Sequence, residues 1–465
     1  MTSRLPTLLL AALLPALSGA AACAADADVE RIKRGEYLTR AADCIACHTA
    51  EKSRPFAGGY ALQTPLGTIY GSNITPDQET GIGSWSDDDF YRALHDGIGK
   101  DGRHLYPAMP YSAYTKLNRD DVLAIKAYLF SQPAVRNPVA QTGLSFPFNQ
   151  RWAIAGWKAI NFTPGPLAVP AGKDVQWTRG AYLVEALGHC QECHTPRTAT
   201  FGLSGKKRYA GGEIDGWQAY NISSDPLSGL GSWSDQAVLD YLRTGNAANH
   251  GQAAGPMAEV VENSLRHLEE ADLRAMLRYL REIPPVHDSR DSKPRIAWGN
   301  PAGDEARLRG SSGISLGNTA GSAAELFSAN CASCHGASGQ GSEDGYYPAL
   351  LHNSTTGARD PSNLIQVLLH GVTRDDGKDV RFMPGFGDTL DDAELAQLTN
   401  YVRSQFGNAP AAVTGKDIGQ RRAGNAGKPW LLQAVLVGAI LLLVIVLALL
   451  LRPRRSKPVR IDIDV

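Results

Sequence analysis

Cysteine, methionine and histidine are scarce in this 465-residue chain, and so is net charge. It holds seven cysteines, five methionines and 11 histidines, and its formal charge is −1. So even a balance offers no electrostatic footprint for nucleic acid. No phosphate-cradling glycine loop, nucleotide fingerprint or Ser/His/Asp set is present, which leaves no second active site in view. The cysteines do not suit a disulfide framework, because six of them lie in pairs two residues apart and only Cys23 is left over. A zinc ribbon needs such pairs to converge on one metal, yet successive pairs stand about 140 residues apart. A thioredoxin-type pair needs a βαβ setting, which the pattern lacks.

What is present is one short stretch used three times. Cys44-Ile45-Ala46-Cys47-His48 recurs as Cys190-Gln191-Glu192-Cys193-His194 and as Cys331-Ala332-Ser333-Cys334-His335. C-x-x-C-H is the attachment signature of c-type heme. Two thiols at this spacing can each form a thioether to a heme vinyl group, and the adjacent histidine can hold the iron from one side. The spacing therefore predicts three covalently bound heme c groups, on Cys44 and Cys47, Cys190 and Cys193, Cys331 and Cys334.

The two ends read as membrane signals. Arg4, the apolar run Leu8 to Leu17 and Ala20-Ala21-Ala22 form a secretory signal peptide over residues 1–22. Cys23 follows it, but Ala20 stands where a lipoprotein signal usually has Leu, so an ordinary cleaved peptide is expected. Leu431 to Leu451 is uncharged and, at about 1.5 Å per residue, long enough to cross a bilayer. Arg452, Arg454, Arg455, Lys457 and Arg460 follow and would stay cytoplasmic. The expectation is a single-pass protein of the bacterial inner membrane: transmembrane helix 430–452, cytoplasmic tail 453–465, heme domains in the periplasm.

Between the ends the chain repeats. Arg34-Gly35-Glu36-Tyr37-Leu38 matches Arg179-Gly180-Ala181-Tyr182-Leu183, and Ala57-Gly58-Gly59 matches Ala210-Gly211-Gly212. Asn73-Ile74-Thr75 matches Asn221-Ile222-Ser223, and Gly83-Ser84-Trp85-Ser86-Asp87 matches Gly231-Ser232-Trp233-Ser234-Asp235. The fold class is mostly α: three consecutive cytochrome c-like helical domains at 29–165, 174–286 and 319–407, plus the C-terminal transmembrane helix. Residues 287–318 read as a linker and 408–429 as a loose tether. Val29, Ile32 and Leu38 give the first helix an apolar side. Trp85-Ser86-Asp87 starts a helix with Phe90, Ala93 and Leu94 as its buried stripe. Closing helices are expected at Asp120 to Phe130, Glu269 to Arg281 and Asp391 to Phe406, with Tyr128, Tyr279 and Tyr401 as core. The aromatic segment Phe146, Phe148, Trp152, Trp157 and Phe162 is expected to pack on the first unit, with a docking surface as the other reading.

A second iron ligand is expected in each unit. Met109, Met257 and Met383 each follow one motif, precede a closing helix and have a proline beside them. Proline stiffens the loop, and a soft thioether raises the potential of heme iron. Met276 sits mid-helix and reads as core. A histidine such as His104 or His250 in place of one methionine stays open. Iron closed on both faces has no site for a substrate and exchanges single electrons, so the chain reads as a relay. A multi-heme peroxidase would need a vacant iron face, and the three methionines argue against it.

In Asp43 to His48, Pro55 to Gly59, Ser72 to Asp77, Leu105 to Tyr111 and Phe382-Met383-Pro384 the chain resembles the three-heme cytochrome c subunits of bacterial membrane-bound alcohol, gluconate, fructose and sorbitol dehydrogenases. The resemblance covers roughly residues 30 to 406. It implies His48 with Met109, His194 with Met257 and His335 with Met383 as axial pairs. It also implies a separate flavin- or quinone-containing catalytic subunit that oxidises an alcohol, sugar or aldehyde, its electrons passing to ubiquinone or onward to an oxidase. The alternatives are a cytochrome partner of a molybdenum hydroxylase and a subunit of a terminal oxidase complex. Catalysis by this chain alone is not implied.

Overall fold

The computed structural model describes residues 14–64, 66–303, 323–375, 377, 379–424 and the single positions 438, 441 and 444. The first unit runs through α1 (Leu14–Ala41), α2 (Cys44–His48), the antiparallel pair β1 (Ala61–Thr64) and β2 (Gly67–Tyr70), α3 (Asp87–Asp96), α4 (Tyr111–Tyr114) and α5 (Arg119–Ser131). β3 (Gly143–Leu144) pairs with β2, and α6 (Ala153–Asn161) follows. The second unit holds α7 (Val175–Tyr182), a π-turn (Leu183–Leu187), α8 (Gln191–His194), the hairpin β4 (Gly212–Ile214) and β5 (Trp217–Ala219), and α9 (Asp235–Thr244). The pair β6 (Asn246–Ala247) and β7 (Gly251–Gln252), α10 (Pro256–Asn263) and α11 (Glu270–Leu280) complete it. The third has α12 (Ala323–Asn330), α13 (Ala332–His335), α14 (Ser362–His370), the hairpin β8 (Val372–Asp375) and β9 (Val380–Met383), α15 (Asp392–Phe406) and α16 (Gly415–Arg422).

The repeated sequences make repeated local structures. Ser86 caps α3 by accepting from Asp89 N–H, and Asp89 reaches back to close the capping box. Ser234 caps α9 in the same way through Ala237 N–H. Phe90, Ala93 and Leu94 form the buried stripe of α3, as expected. Val29 is exposed and Ile32 half-buried, so the buried side of α1 starts at Gly35 and continues at Leu38 and Ala41. Each leading helix crosses a closing helix: α1 on α5, α7 on α11 and α12 on α15. The first two crossings are close because of glycine. A Cβ at Gly35 would lie 1.9 Å from the Ala124 carbonyl oxygen, and one at Gly180 would lie 1.9 Å from that of Ala275.

One hydrophobic core runs through both of the first two units, joining Leu38, Val122 and Leu129 to Leu183, Leu187 and Leu273. The third unit has its own core of Phe327, Leu364, Leu395, Leu398 and Phe406. Burial of such side chains contributes about 1.5–3 kcal/mol apiece, and it holds short helices that would be marginal alone. The first two units also exchange matching hydrogen bonds. Arg34 binds Asp121 at 2.7 and 2.5 Å, and Tyr182 of the second unit donates to the same carboxylate at 2.7 Å. Arg179 binds Asp272 at 2.9 and 2.6 Å, and Tyr37 of the first unit donates there at 2.6 Å. The two units thus meet about an approximate two-fold axis. The third unit rests on the second, through Asn363 and Gln218, Arg374 and the Gly245 carbonyl, and Arg421 and the Gly216 carbonyl.

Two expectations are corrected. Among the described residues no helix is long and apolar enough to cross a membrane. This overturns the single-pass placement in the inner membrane. The long helix α1 has 28 residues but carries Asp26, Asp28, Glu30, Arg31, Lys33 and Arg34, and charges of that density do not enter a bilayer core. The stretch 430–452, apart from positions 438, 441 and 444, lies outside the described residues, as do 453–465 and residues 1–13. The loose tether is corrected as far as residue 424. Thr414 and Asp417 form a capping box on α16, Ile418 is buried against α15, and Arg422 pairs with Asp392 at 2.8 Å. Residues 287–303, the described part of the expected linker, are held to the units on either side. Asp288 and Asp291 pair with Arg359 at 3.0 and 3.2 Å, and Arg295 donates to the Ser228 carbonyl at 2.6 Å.

The aromatic segment divides. Trp157 and Phe162 stand edge-on to the buried Tyr111, and Lys158 lies over its ring. Phe146 and Trp152 are 64% and 75% exposed.

Candidate functional site

Each motif folds into about one helical turn: Cys44–His48, Gln191–His194 after Cys190, and Ala332–His335 after Cys331. Residues three and four apart share a helix face, so each turn presents its two thiols and its imidazole together. None of the six motif cysteines is joined to another in a disulfide. Burial pushes Cys44, Cys190 and Cys331 up to about 12, and Cys47 and Cys193 up to about 11. Thiols held neutral are poor ligands for a bare metal ion but remain available for a carbon–sulfur bond.

The three imidazoles share one device. His48 Nδ1 lies 2.7 Å from the Ser72 carbonyl oxygen, His194 Nδ1 2.6 Å from that of Tyr220, and His335 Nδ1 2.8 Å from that of Pro348. A carbonyl only accepts, so Nδ1 carries the proton and Nε2 keeps its lone pair. Burial also lowers the proton affinity of all three rings. A neutral ring with its far nitrogen unprotonated, and its near nitrogen tied to the backbone, is an oriented iron ligand.

The repeats explain how the carbonyls are held. Asn73 accepts from Thr75 N–H at 3.0 Å and donates to the Val135 carbonyl at 2.8 Å. Asn221 accepts from Ser223 N–H at 2.8 Å and donates to the Val286 carbonyl at 2.6 Å. Each asparagine thus braces the residue just before it, Ser72 or Tyr220. Glycines hold the backbone of the same histidines. Gly58 N–H donates to the His48 carbonyl at 2.7 Å, Gly211 to that of His194 at 2.8 Å and Gly341 to that of His335 at 2.8 Å. All three glycines have φ between 72° and 96°, where a side chain would be strained. The matched stretches signalled these braces in the sequence, although their purpose was not legible there.

The methionines sit in three different settings. Met109 lies half-buried in a turn, its N–H on the Tyr106 carbonyl at 3.0 Å. Met257 is in the first turn of α10, behind Pro256, and Met383 ends β9 opposite Val372. The proline-stiffened loop predicted for all three is therefore found at Met109, while a helix and a strand carry the other two. Met276 is core. Among the histidines weighed as rivals, His250 packs on Trp233 with ring centroids 4.5 Å apart. His104 keeps Nδ1 buried without a partner.

The first two motifs lie near each other. Cys47 is raised by burial first, then by the charges of Asp43, Glu259 and Cys193. Helix α10, which carries Met257, packs against α2. Asp43 leads into α2 with φ 50°, its carboxyl pushed well above the usual range by burial and then by Glu259. Tyr279 packs against the core, as expected, and its hydroxyl also donates to Glu185. Nothing in the helix periodicity marks that partner.

Comparison with known proteins finds relatives over most of the chain. The cytochrome c family model matches residues 321–406. The chain is 43% identical to the fructose dehydrogenase cytochrome subunit of Gluconobacter japonicus, over 86% of this chain and 84% of that one. It is 38% identical to the cytochrome c subunit of the quinone alcohol dehydrogenase of Gluconobacter oxydans, over 89% and 86% of the two chains. It is also 38% identical to the gluconate 2-dehydrogenase cytochrome c subunit of Pantoea cypripedii, over 89% and 94%.

Proposed function

The chain belongs to the family of cytochrome c subunits of dehydrogenases, and from that premise we propose a three-heme relay that carries electrons away from a catalytic subunit. Heme c bound at each motif supplies one-electron exchange at iron. Cys44 and Cys47, Cys190 and Cys193, and Cys331 and Cys334 hold the three groups through thioethers. His48 with Met109, His194 with Met257 and His335 with Met383 close the iron faces. The heme domains are residues 29–165, 174–286 and 319–407.

The observation that carries this reading is the shared imidazole geometry. Three rings, each with Nδ1 on a backbone carbonyl, keep Nε2 available and fixed. A ligand fixed in advance needs little rearrangement between oxidation states, which favours fast electron exchange. The donor is a flavin-, quinone- or molybdenum-containing dehydrogenase subunit acting on an alcohol, sugar or aldehyde. The acceptor is ubiquinone or a terminal oxidase. The substrate never meets this chain.

Purification of the chain together with its bound partners tests the proposal. The partner's substrate should reduce the heme absorbance of the complex and leave that of the isolated chain unchanged. Reduction of the isolated chain by the same substrate, or peroxide turnover with a high-spin spectrum, would point to an enzyme instead.

A further inference from the structure

The first two units differ in one place that repetition does not explain. Leu38 is followed by five residues before Cys44, whereas Leu183 is followed by six before Cys190. The second unit absorbs the extra residue as the π-turn Leu183–Leu187. Such an insertion turns the side chains after it and is common at functional sites. Here it carries Glu185 into the interior, where the residue is 3% exposed. The first unit has Arg40 two residues after Leu38, and Thr39 five before Cys44; neither is acidic.

Glu185 is surrounded by donors. Lys116 of the first unit binds Oε2 at 2.8 Å, and Gln191 binds the same oxygen at 2.6 Å. Tyr209 donates to Oε1 at 2.8 Å, and Arg208 and Tyr279 reach that oxygen as well. Gln191 stands inside the motif, next to Cys190. Through Gln191 the carboxylate is one hydrogen bond from the helical turn that carries the cysteines of the second motif. Lys116 and Arg208 oppose its charge, one from each unit.

We propose that Glu185 is a positioning residue that sets the potential of the second heme and ties that potential to the contact between the first two units. A buried anion stabilises the oxidised, more positive iron and lowers its potential; a buried cation does the reverse. Through Gln191 the same carboxylate fixes the turn that holds the two thioethers. The inference rests on the reading that the second motif binds heme.

Spectroelectrochemical titration of the full-length, heme-loaded chain tests it. A variant with both Cys190 and Cys193 changed to Ala lacks the second heme, and the midpoint missing from its titration identifies that group. E185Q should raise that midpoint and K116Q should lower it, with the other two unmoved and the low-spin absorbance kept. No shift in either variant, a shift of the same sign in both, or a shift at another heme would overturn the inference. Should E185Q not fold, R208Q replaces it, with the same downward shift expected as for K116Q. Loss of no heme in the double cysteine variant would instead overturn the proposed function.

Discussion

At the scale of single residues, the candidate site depends on side chains that never touch a cofactor. Asn73 and Asn221 hold the stretches whose carbonyls orient His48 and His194. Asn221→Ala would leave the Ser223 N–H and the Val286 carbonyl without their partner. Each loss costs about 1–3 kcal/mol when buried. A lower melting temperature and a weakened heme band from the second site are expected, measured by thermal unfolding and absorbance. Asp272 gives a pH dependence. Burial would raise its carboxyl, but hydrogen bonds from Arg179 and Tyr37 outweigh burial and hold it below the ordinary range. Its folded-state pKa is then below the unfolded value of about 3.9. The stabilisation is complete above that pH and is lost as pH falls through the folded value. Denaturant unfolding should show stability falling below about pH 4, and falling less steeply in Asp272→Asn.

At the scale of elements, the leading and closing helices carry the architecture, and their glycines set how closely they cross. Gly35→Ala or Gly180→Ala would place a methyl group 1.9 Å from a carbonyl oxygen of the facing helix. Overpacking of this kind costs about 1–3 kcal/mol, so either variant should unfold at a lower denaturant concentration. Elements whose cause is local were legible in the sequence: the Ser86 cap with the Phe90 stripe and the closing helix ending at Phe406. Elements whose cause is distant were not. Helix α16 is polar along most of its length and is held by Ile418, Arg422 and its cap against α15, so composition read it as a tether. The π-turn comes from one extra residue, which becomes visible only when the two repeats are set side by side. The pairing of Tyr279 with Glu185 joins residues far apart in the chain.

At the scale of the molecule, the first two units form one body and the third rests on the second. The crossed pairs Tyr182 with Asp121 and Tyr37 with Asp272 join the first two about their approximate axis. Helix α10 of the second unit packs against α2 of the first, which brings the first two motifs near each other. Membership of a dehydrogenase cytochrome family fits a relay of this kind. The central claim is that all three motifs carry covalent heme. Intact-mass measurement of the purified chain under denaturing conditions tests it most directly. The account predicts a mass increment of three heme groups, falling to two when the cysteine pair of any one motif is changed to alanine. An increment of two or fewer in the unaltered chain would contradict it.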